Sequence, residues 1–136
     1  AEALVLLVNA IGLDPDSTYN TFKDVPNSSF AAGHVGIALQ NGIINGFTDG
    51  TFRGNQAVTR AEMSIMIANA FQLAASSEKI SFSDVNTNVT GYDAIQRVVA
   101  NKIAQGYTDG SFKPYEKMNR ATYAVFISRA INDKLQ

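Results

Sequence analysis

Two arginines in this chain each follow an aspartate-glycine loop at the same distance. The loops read GFTDGTF (46–52) and GYTDGSF (106–112), and Arg60 and Arg120 stand eight residues after them. Each arginine is predicted to be the first residue of a helix, where the helix dipole disfavours a cation by about 0.3–1 kcal/mol. The presence of a cation at this unfavourable position in both copies indicates that each arginine has a negatively charged partner. A guanidinium with free amides at a helix start suits a carboxylate, which it can bind through two hydrogen bonds.

The two loops supply the other residues of a candidate anion site. Their aspartates and glycines are typical of turns, and glycine lets a ligand approach the backbone closely. We expect the loop aspartates to bond ligand hydroxyls and the loop aromatics to stack on the apolar face of a sugar. The candidate binding residues are Arg60, Arg120, Gly46, Phe47, Asp49, Gly50, Gly106, Tyr107, Asp109 and Gly110.

Two simpler interpretations of the same residues remain open. The Thr-Asp-Gly loops are sufficient as turns pinned to a core by their flanking aromatics, with no ligand at all. The arginines can equally form internal salt bridges, for Arg60 with Asp49 or Glu62 and for Arg120 with the equivalent residues. In that case the arginines stabilise the fold and bind nothing.

Composition excludes several classes of partner. The chain has 136 residues, 46% of them hydrophobic, a formal net charge of -1 and a pI near 5.7. We therefore expect a soluble globule with no basic face for nucleic acid. No apolar run approaches the roughly 20 residues of a membrane span, so membrane insertion is not expected. There is no cysteine, and we expect neither a metal site nor a cofactor.

The chain repeats itself at an offset of 60 residues. Residues 21–76 align with 81–136 without a gap, and 14 of the 56 aligned pairs are identical. The first residues, AEALVLLVNAIGL, align at the same offset with 61–73. We therefore predict three segments: the terminal helix of a truncated copy with its linker (1–20), a complete module (21–76), and a short connection with a second module (77–136).

Each module is predicted to be a helix-loop-helix unit, which makes the fold all-α. FAAGHVGIALQNGI and YDAIQRVVANKI carry apolar residues at three- and four-residue spacing, as an amphipathic helix does. Thr59 and Glu62 form a predicted capping box, and Asn119 is a predicted N-cap. Small repeats stack around a shared core. The truncated first copy therefore leaves either a gap or a homo-oligomer in which another chain completes the module.

In this order, the motifs resemble those of the S-layer homology (SLH) module. They are Phe-x-Asp-Val (22–25), Gly-Ile-x-x-Gly (42–46), the Asp-Gly-x-Phe loop, and Thr-Arg-Ala-Glu (59–62). The resemblance covers both modules and the initial fragment. Phe30 and Thr90 stand where the family usually has tryptophan, and the second copy reads Asn-Arg-Ala-Thr.

The resemblance implies a function as well as a fold. It implies modules about a pseudo-threefold axis, in a secreted protein of the bacterial cell wall or S-layer. Such domains are noncatalytic anchors that bind pyruvylated secondary cell wall polysaccharide in grooves between modules. The signature arginine falls on Arg60 and Arg120, and the ketal carboxylate of pyruvate would be their negative partner.

Three other functions compete with this interpretation. An enzyme is disfavoured because His34 is the only histidine, and Asp49 and Asp109 are equivalent repeat positions rather than two different carboxylates. DVNTNVT (84–90) imitates a calcium loop but has Val89 where that loop needs glycine. The serious alternative is a structural module for protein contact or lattice self-association.

Overall fold

The regular structure is helical. In the computed structural model, the described residues are 1–46, 49–75 and 77–135, with side chains described up to residue 132. The helices in these ranges are α1 (Glu2–Ile11), α2 (Ala32–Gln40), α3 (Arg60–Phe71), α4 (Tyr92–Ala100) and α5 (Arg120–Leu135), with a 3-10 turn at Ser17–Tyr19. Only isolated bridges accompany them over this part of the chain, so the all-α prediction is confirmed. None of these helices is long and apolar enough to cross a membrane.

The helices group into two compact units, Ala1–Ala57 (unit 1) and Val58–Gln136 (unit 2). In unit 1, α1 packs on α2, and α2 also packs on the 3-10 turn. In unit 2, α3 packs on both α4 and α5. Helix α3 closes the first sequence repeat but packs on helices of the second. Such an offset suits short repeats, because a single repeat cannot bury the apolar face of its own helices.

Local signals in the sequence set the helix ends. The Thr59 hydroxyl accepts a hydrogen bond from the Glu62 amide at 3.1 Å, and the Glu62 carboxylate accepts one from the Thr59 amide at 3.0 Å. The predicted capping box is therefore confirmed. The predicted asparagine cap is also present, since the Thr122 amide donates to Asn119 at 3.0 Å. Gly12 ends α1 in the left-handed conformation, at φ 78°.

Each unit has its own apolar core, which includes the periodic apolar residues Val35 and Ala38 of α2 and Ile95 and Val98 of α4. In unit 1 the side chains of Leu4, Leu7, Val8, Val35, Ala38 and Ile43 are at most 2% exposed. In unit 2 the same holds for Met63, Ile67, Ile95, Val98, Ile103 and Phe112. Phe112 closes the second loop, so the core of unit 2 reaches directly to the candidate site.

The two repeats pack differently at one pair of equivalent positions, Gly36 and Gln96. Gln96 in α4 is 2% exposed, and its amide bonds both the N–H and the carbonyl of Ile80 at 2.7 Å each. Its counterpart in α2 is Gly36, where a Cβ atom would collide with the carbonyl oxygen of Asp16. In unit 2 the side-chain amide of Gln96 therefore fills a space that main-chain atoms occupy in unit 1.

Candidate functional site

Arg60 is a buried cation that joins the start of α3 to the second loop. It is 8% exposed. Its Nε donates to the carbonyl oxygen of Phe112 and its Nη2 to that of Gln105, each at 2.8 Å. Because both acceptors belong to the 105–112 segment, the guanidinium is held in one place relative to that loop. The loop it contacts is the one that follows it in sequence, in the second repeat.

Three aromatic rings surround the Arg60 guanidinium. Its Cζ atom lies 4.4 Å from the ring centroid of Phe112, 5.1 Å from that of Tyr107 and 5.4 Å from that of Phe126. A cation within about 6 Å of an aromatic centroid is attracted by the ring quadrupole. The rings therefore stabilise the positive charge electrostatically without neutralising it. Phe126, in α5, was not among the residues that sequence reasoning singled out.

The Arg60 charge has no acidic partner among the described residues. Asp49 pairs instead with Arg53, with Oδ2 and Nη2 3.3 Å apart, and Glu62 is engaged in the capping box. The expectation that Arg60 forms a salt bridge with Asp49 or Glu62 is therefore wrong. Its physical reason is local: each acid has a partner within four residues of itself in the chain. Arg60 is instead bonded to neutral carbonyl oxygens.

The amides at the start of α3 are not free, which corrects the simplest form of the anion pocket. The amide of Arg60 donates to the carbonyl of Glu116 at 2.9 Å, and that of Ala61 donates to Pro114 at 2.8 Å. The third amide, of Glu62, donates to the Thr59 hydroxyl. Main chain after the second loop thus pairs with the helix start. An anion at this site has to be held by side chains.

The aspartates of the two loops form the turns that the sequence predicts. Asp109 Oδ1 accepts from the amide of Ser111 at 3.0 Å and from its hydroxyl at 2.6 Å. Asp49 Oδ1 makes the same pair of bonds with Thr51, at 3.0 and 2.5 Å. Each aspartate therefore uses one oxygen to shape its own loop. In Asp109 the other oxygen remains at an exposed position.

A second aspartate in each repeat ties down the end of the loop. Asp84 accepts from the amides of Phe112 and Lys113 at 2.9 and 2.8 Å. Asp24 does the same in unit 1, accepting from the two residues after Thr51 at 2.8 and 2.7 Å. These bonds hold Lys113 at φ 58°, which is unusual for a residue with a side chain. Sequence reasoning gave these aspartates no role in the site, although their identity in both copies was the available signal.

The loop glycines are required by the packing or by the backbone conformation of the loops. A Cβ atom at Gly46 would collide with the ring of Phe22, and one at Gly106 would collide with the ring of Phe82. Gly50 and Gly110 have φ of 83° and 88°, as their turns require. The glycines are therefore needed to build the loops, whether or not a ligand lies against them.

Tyr107 is the aromatic residue that stands at the open side of the site. It is 37% exposed, and its hydroxyl donates to Glu116 Oε1 at 2.6 Å. This hydrogen bond raises the pKa of Tyr107 above its ordinary value. The Nζ atom of Lys113 lies 4.1 Å from its ring centroid. The predicted counterpart in the first loop, Phe47, lies outside the described residues.

The remaining cations have different surroundings. Arg120 begins α5 at an exposed position, in contrast to the buried Arg60. Lys102 is exposed with φ 61°, and Arg53 pairs with Asp49. The structure therefore brings Arg60, Gly106, Tyr107, Asp109 and Gly110 together in unit 2.

Acid is expected to destabilise the loops. The Thr51 hydroxyl holds the pKa of Asp49 below its ordinary value, the Ser111 hydroxyl does the same for Asp109, and a main-chain amide lowers the pKa of Asp24. Carboxyls with a depressed folded-state pKa stabilise the fold above their unfolded pKa, and this stability is lost as pH falls through the folded pKa. The melting temperature should be level near neutral pH and fall below about pH 4.

Circular dichroism melts between pH 7 and pH 2.5 measure this dependence. The double variant Asp49→Asn with Asp109→Asn is the matched control and should lose part of the acid-induced decrease. An identical pH profile in that variant would assign the decrease to other carboxyls.

Comparison with known protein families matches both repeats. A family model described as the S-layer homology domain matches residues 21–64 and 81–124. Each match runs from the Phe-x-Asp-Val motif, or its equivalent, through the loop and into the following helix. Both matches therefore contain a candidate loop and the arginine that follows it.

Curated relatives match nearly the whole chain over a small part of their own length. An endoglucanase of Bacillus sp. (strain KSM-635) is 31% identical over 134 residues, which cover 94% of this chain and 14% of that protein. A cellulosome-anchoring protein of Acetivibrio thermocellus is 29% identical, with 96% and 31% covered. A surface-layer 125 kDa protein of Lysinibacillus sphaericus is 30% identical, with 91% and 10% covered. The chain thus spans less than a third of the length of each of these relatives.

Proposed function

Since the chain belongs to the S-layer homology domain family, we propose that it is a noncatalytic module that anchors a secreted protein to the bacterial cell wall by binding an acidic wall polysaccharide. The acidic group would be the carboxylate of a pyruvate ketal. The names of the relatives, a cellulosome-anchoring protein and surface-layer proteins, support the anchoring role and the location at the cell wall. Relatives that are named as enzymes, an endoglucanase and an exoglucanase, match over 14% and 12% of their lengths.

The observation that carries the proposal is the charge of Arg60. A buried cation without a counter-charge costs free energy, and the two carbonyl oxygens and three rings around Arg60 offset only part of that cost. No hydrogen bond from its Nη1 to a described residue is present. A ligand carboxylate at that nitrogen would supply the missing charge through a charge-assisted hydrogen bond.

The surrounding residues fit a sugar ring next to that carboxylate. The exposed part of the Tyr107 ring offers an apolar face, and the second oxygen of Asp109 can accept hydrogen bonds from sugar hydroxyls. Gly106 and Gly110 keep the loop in the shape that places these groups. No step of bond formation or cleavage is required of any of these residues.

We propose an equivalent role for the first loop and for the second arginine. In unit 1, Asp49 makes the same bonds to Thr51 that Asp109 makes to Ser111, and Gly50 has a positive φ as Gly110 does. Gly46 packs against the ring of Phe22 as Gly106 packs against that of Phe82. Arg120 occupies the same first helical position in α5 that Arg60 occupies in α3. Repetition of loop and arginine would give several weak contacts along one polymer, and their combined avidity would exceed that of each.

Binding to chemically modified wall polysaccharide tests the proposal. The whole chain is titrated with purified polymer, with polymer whose ketal pyruvate has been removed by mild acid, and with polymer that has only been de-N-acetylated and re-acetylated as a handling control. We expect binding to the first and third preparations and a loss of at least about tenfold for the second. Equal affinity for all three would exclude the carboxylate as the recognised group.

Exposed apolar side chains favour the second candidate function, contact with other protein molecules. In unit 2, Tyr115 is 66% exposed and Val125 is 44% exposed, and in unit 1 Phe30 is 74% exposed. Large exposed apolar residues are frequent in interfaces. Analytical ultracentrifugation of the whole chain across a concentration series tests this candidate, including the predicted homo-oligomer. Strictly monomeric sedimentation at high concentration would exclude self-association.

A further inference from the structure

An acidic side chain stands at the rim of the proposed anion site. Glu116 is exposed, and its Oε1 accepts a hydrogen bond of 2.6 Å from the Tyr107 hydroxyl. The ring of the same tyrosine lies 5.1 Å from Arg60 Cζ and 4.1 Å from Lys113 Nζ, measured to its centroid. Tyr107 therefore lies against one carboxylate, that of Glu116, and against two cations. These cations are Arg60 and Lys113.

The backbone of Glu116 is held on both sides. Its amide donates to the Lys113 carbonyl at 3.1 Å, and its carbonyl accepts from the Arg60 amide at 2.9 Å. The bridge between Thr59 and Lys117 continues this pairing. Glu116 therefore cannot move away from the start of α3 without breaking main-chain bonds. Its carboxylate is held near the site by this backbone position and by the hydrogen bond from Tyr107.

The formal charges around the site sum to zero before any ligand binds, although neither of the acids forms a salt bridge with Arg60. Arg60 and Lys113 are positive, whereas Asp109 and Glu116 are negative. A singly charged ligand brings this group to a net charge of -1, and a doubly charged ligand brings it to -2. The second negative charge of such a ligand would be repelled by Glu116.

Building on the proposed function, we propose that Glu116 is a specificity-determining residue, which positions the Tyr107 ring and selects a singly charged carboxylate over a doubly charged phosphate monoester. The hydrogen bond to Glu116 sets the side-chain orientation of Tyr107, so the ring forms one wall of the site. The charge of Glu116 disfavours a dianion beside Arg60. One side chain thus supplies both shape and charge selection.

The first repeat provides a natural control for this position. The residue equivalent to Glu116 is Gln56, and its amide donates to the Arg53 carbonyl at 3.1 Å, the same bond that Glu116 makes with Lys113. A glutamine is therefore compatible with this turn. Glu116→Gln removes the charge and keeps an oxygen that can accept a hydrogen bond from the Tyr107 hydroxyl.

Calorimetric titration of the whole chain with a matched set of ligands tests the proposal. The ligands are one sugar prepared as its pyruvate ketal, as a methyl phosphate diester (one negative charge) and as a phosphate monoester (about -1.5 to -2 at pH 7). Wild type should bind the ketal and the diester more tightly than the monoester. Glu116→Gln should tighten the monoester by roughly three- to tenfold and the ketal by only roughly two- to threefold, because the repulsion scales with ligand charge.

Tyr107→Phe separates positioning from charge. This variant keeps the ring and the charge of Glu116 but loses the hydrogen bond between them. All three ligands should weaken together, while the ratio of monoester to diester affinity stays that of wild type. Circular dichroism melts confirm that each variant is folded.

The outcomes distinguish this inference from the function on which it rests. Ketal binding in wild type with an unchanged monoester-to-diester ratio in Glu116→Gln would overturn the role of Glu116 and leave the proposed function standing. Equal affinity of wild type for monoester and diester would do the same. Failure of wild type to bind the ketal sugar and the wall polysaccharide would overturn both proposals.

Discussion

Replacing Arg60 by alanine is expected to weaken binding of the acidic polysaccharide at least about tenfold and to lower the free energy of unfolding by about 2–4 kcal/mol. The loss of binding follows from removing the buried charge. The loss of stability follows because the carbonyl oxygens of Phe112 and Gln105 lose their buried donors. Arg60 thus has a structural role and a proposed binding role at once.

Two further variants separate those roles. Arg60→Lys keeps the positive charge but cannot donate to both carbonyls from a planar group, so it should retain part of the binding and lose stability. Arg129→Ala, at an exposed arginine of α5 whose Nη1 donates one long hydrogen bond of 3.4 Å to the Ile103 carbonyl, should leave binding unchanged and reduce stability far less than Arg60→Ala. Polymer binding is measured at 10 °C on variants that circular dichroism shows to be folded, and stability is measured by urea unfolding. Full binding by folded Arg60→Ala would remove the basis of the proposed function.

Replacing Phe112 by alanine is expected to cost about 3–5 kcal/mol of folding free energy. Phe112 is 0% exposed, and its ring contacts that of Phe82 at a centroid distance of 5.3 Å. The Phe112 ring also lies against the Arg60 guanidinium, with 4.4 Å between the ring centroid and Cζ. The substitution therefore leaves a cavity in the core of unit 2 and removes one wall of the site. Ligand affinity should fall with stability, although Arg60 itself is unchanged.

Phe52→Ala in unit 1 is the matched control. The Phe52 ring contacts that of Phe22 at 5.6 Å in the same way, but Phe52 is only half-buried. Its truncation should cost less than that of Phe112, because less apolar area returns to water. Urea midpoints of the two variants give the comparison. An equal loss of folding free energy in the two variants would show that burial of the phenylalanine at the end of the loop does not determine the cost of its truncation.

The elements that sequence analysis predicted correctly depend on short-range interactions. The capping box joins residues three apart, and each Asp-Gly turn is closed by a hydrogen bond to the second residue after its aspartate. The amphipathic spacing that predicts α2 and α4 is likewise contained within single segments. Such patterns are visible in sequence because all of their members lie within one short segment of the chain.

The errors concern partners that lie far away in the chain. The salt bridge of Arg60 with Asp49 or Glu62, which was the alternative to an anion site, and the free amides expected at the start of α3 were both wrong. In the structure, the Arg60 side chain bonds carbonyls 45 and 52 residues away, and its amide bonds Glu116. Nothing in the spacing of GYTDGSF and Arg60 tells which of the two loops this arginine meets.

The sequence by itself therefore determined that this is a helical repeat protein, where its helices begin, how its loops turn, and to which family it belongs. The tertiary structure decided that α3 packs with the following repeat, that Arg60 is surrounded by rings and carbonyls, and that Glu116 stands at the rim. The physical reason is the difference between local and long-range contacts. Hydrogen bonds within a turn follow from residue types and spacing, whereas the neighbours of a buried charge follow from how separate segments pack.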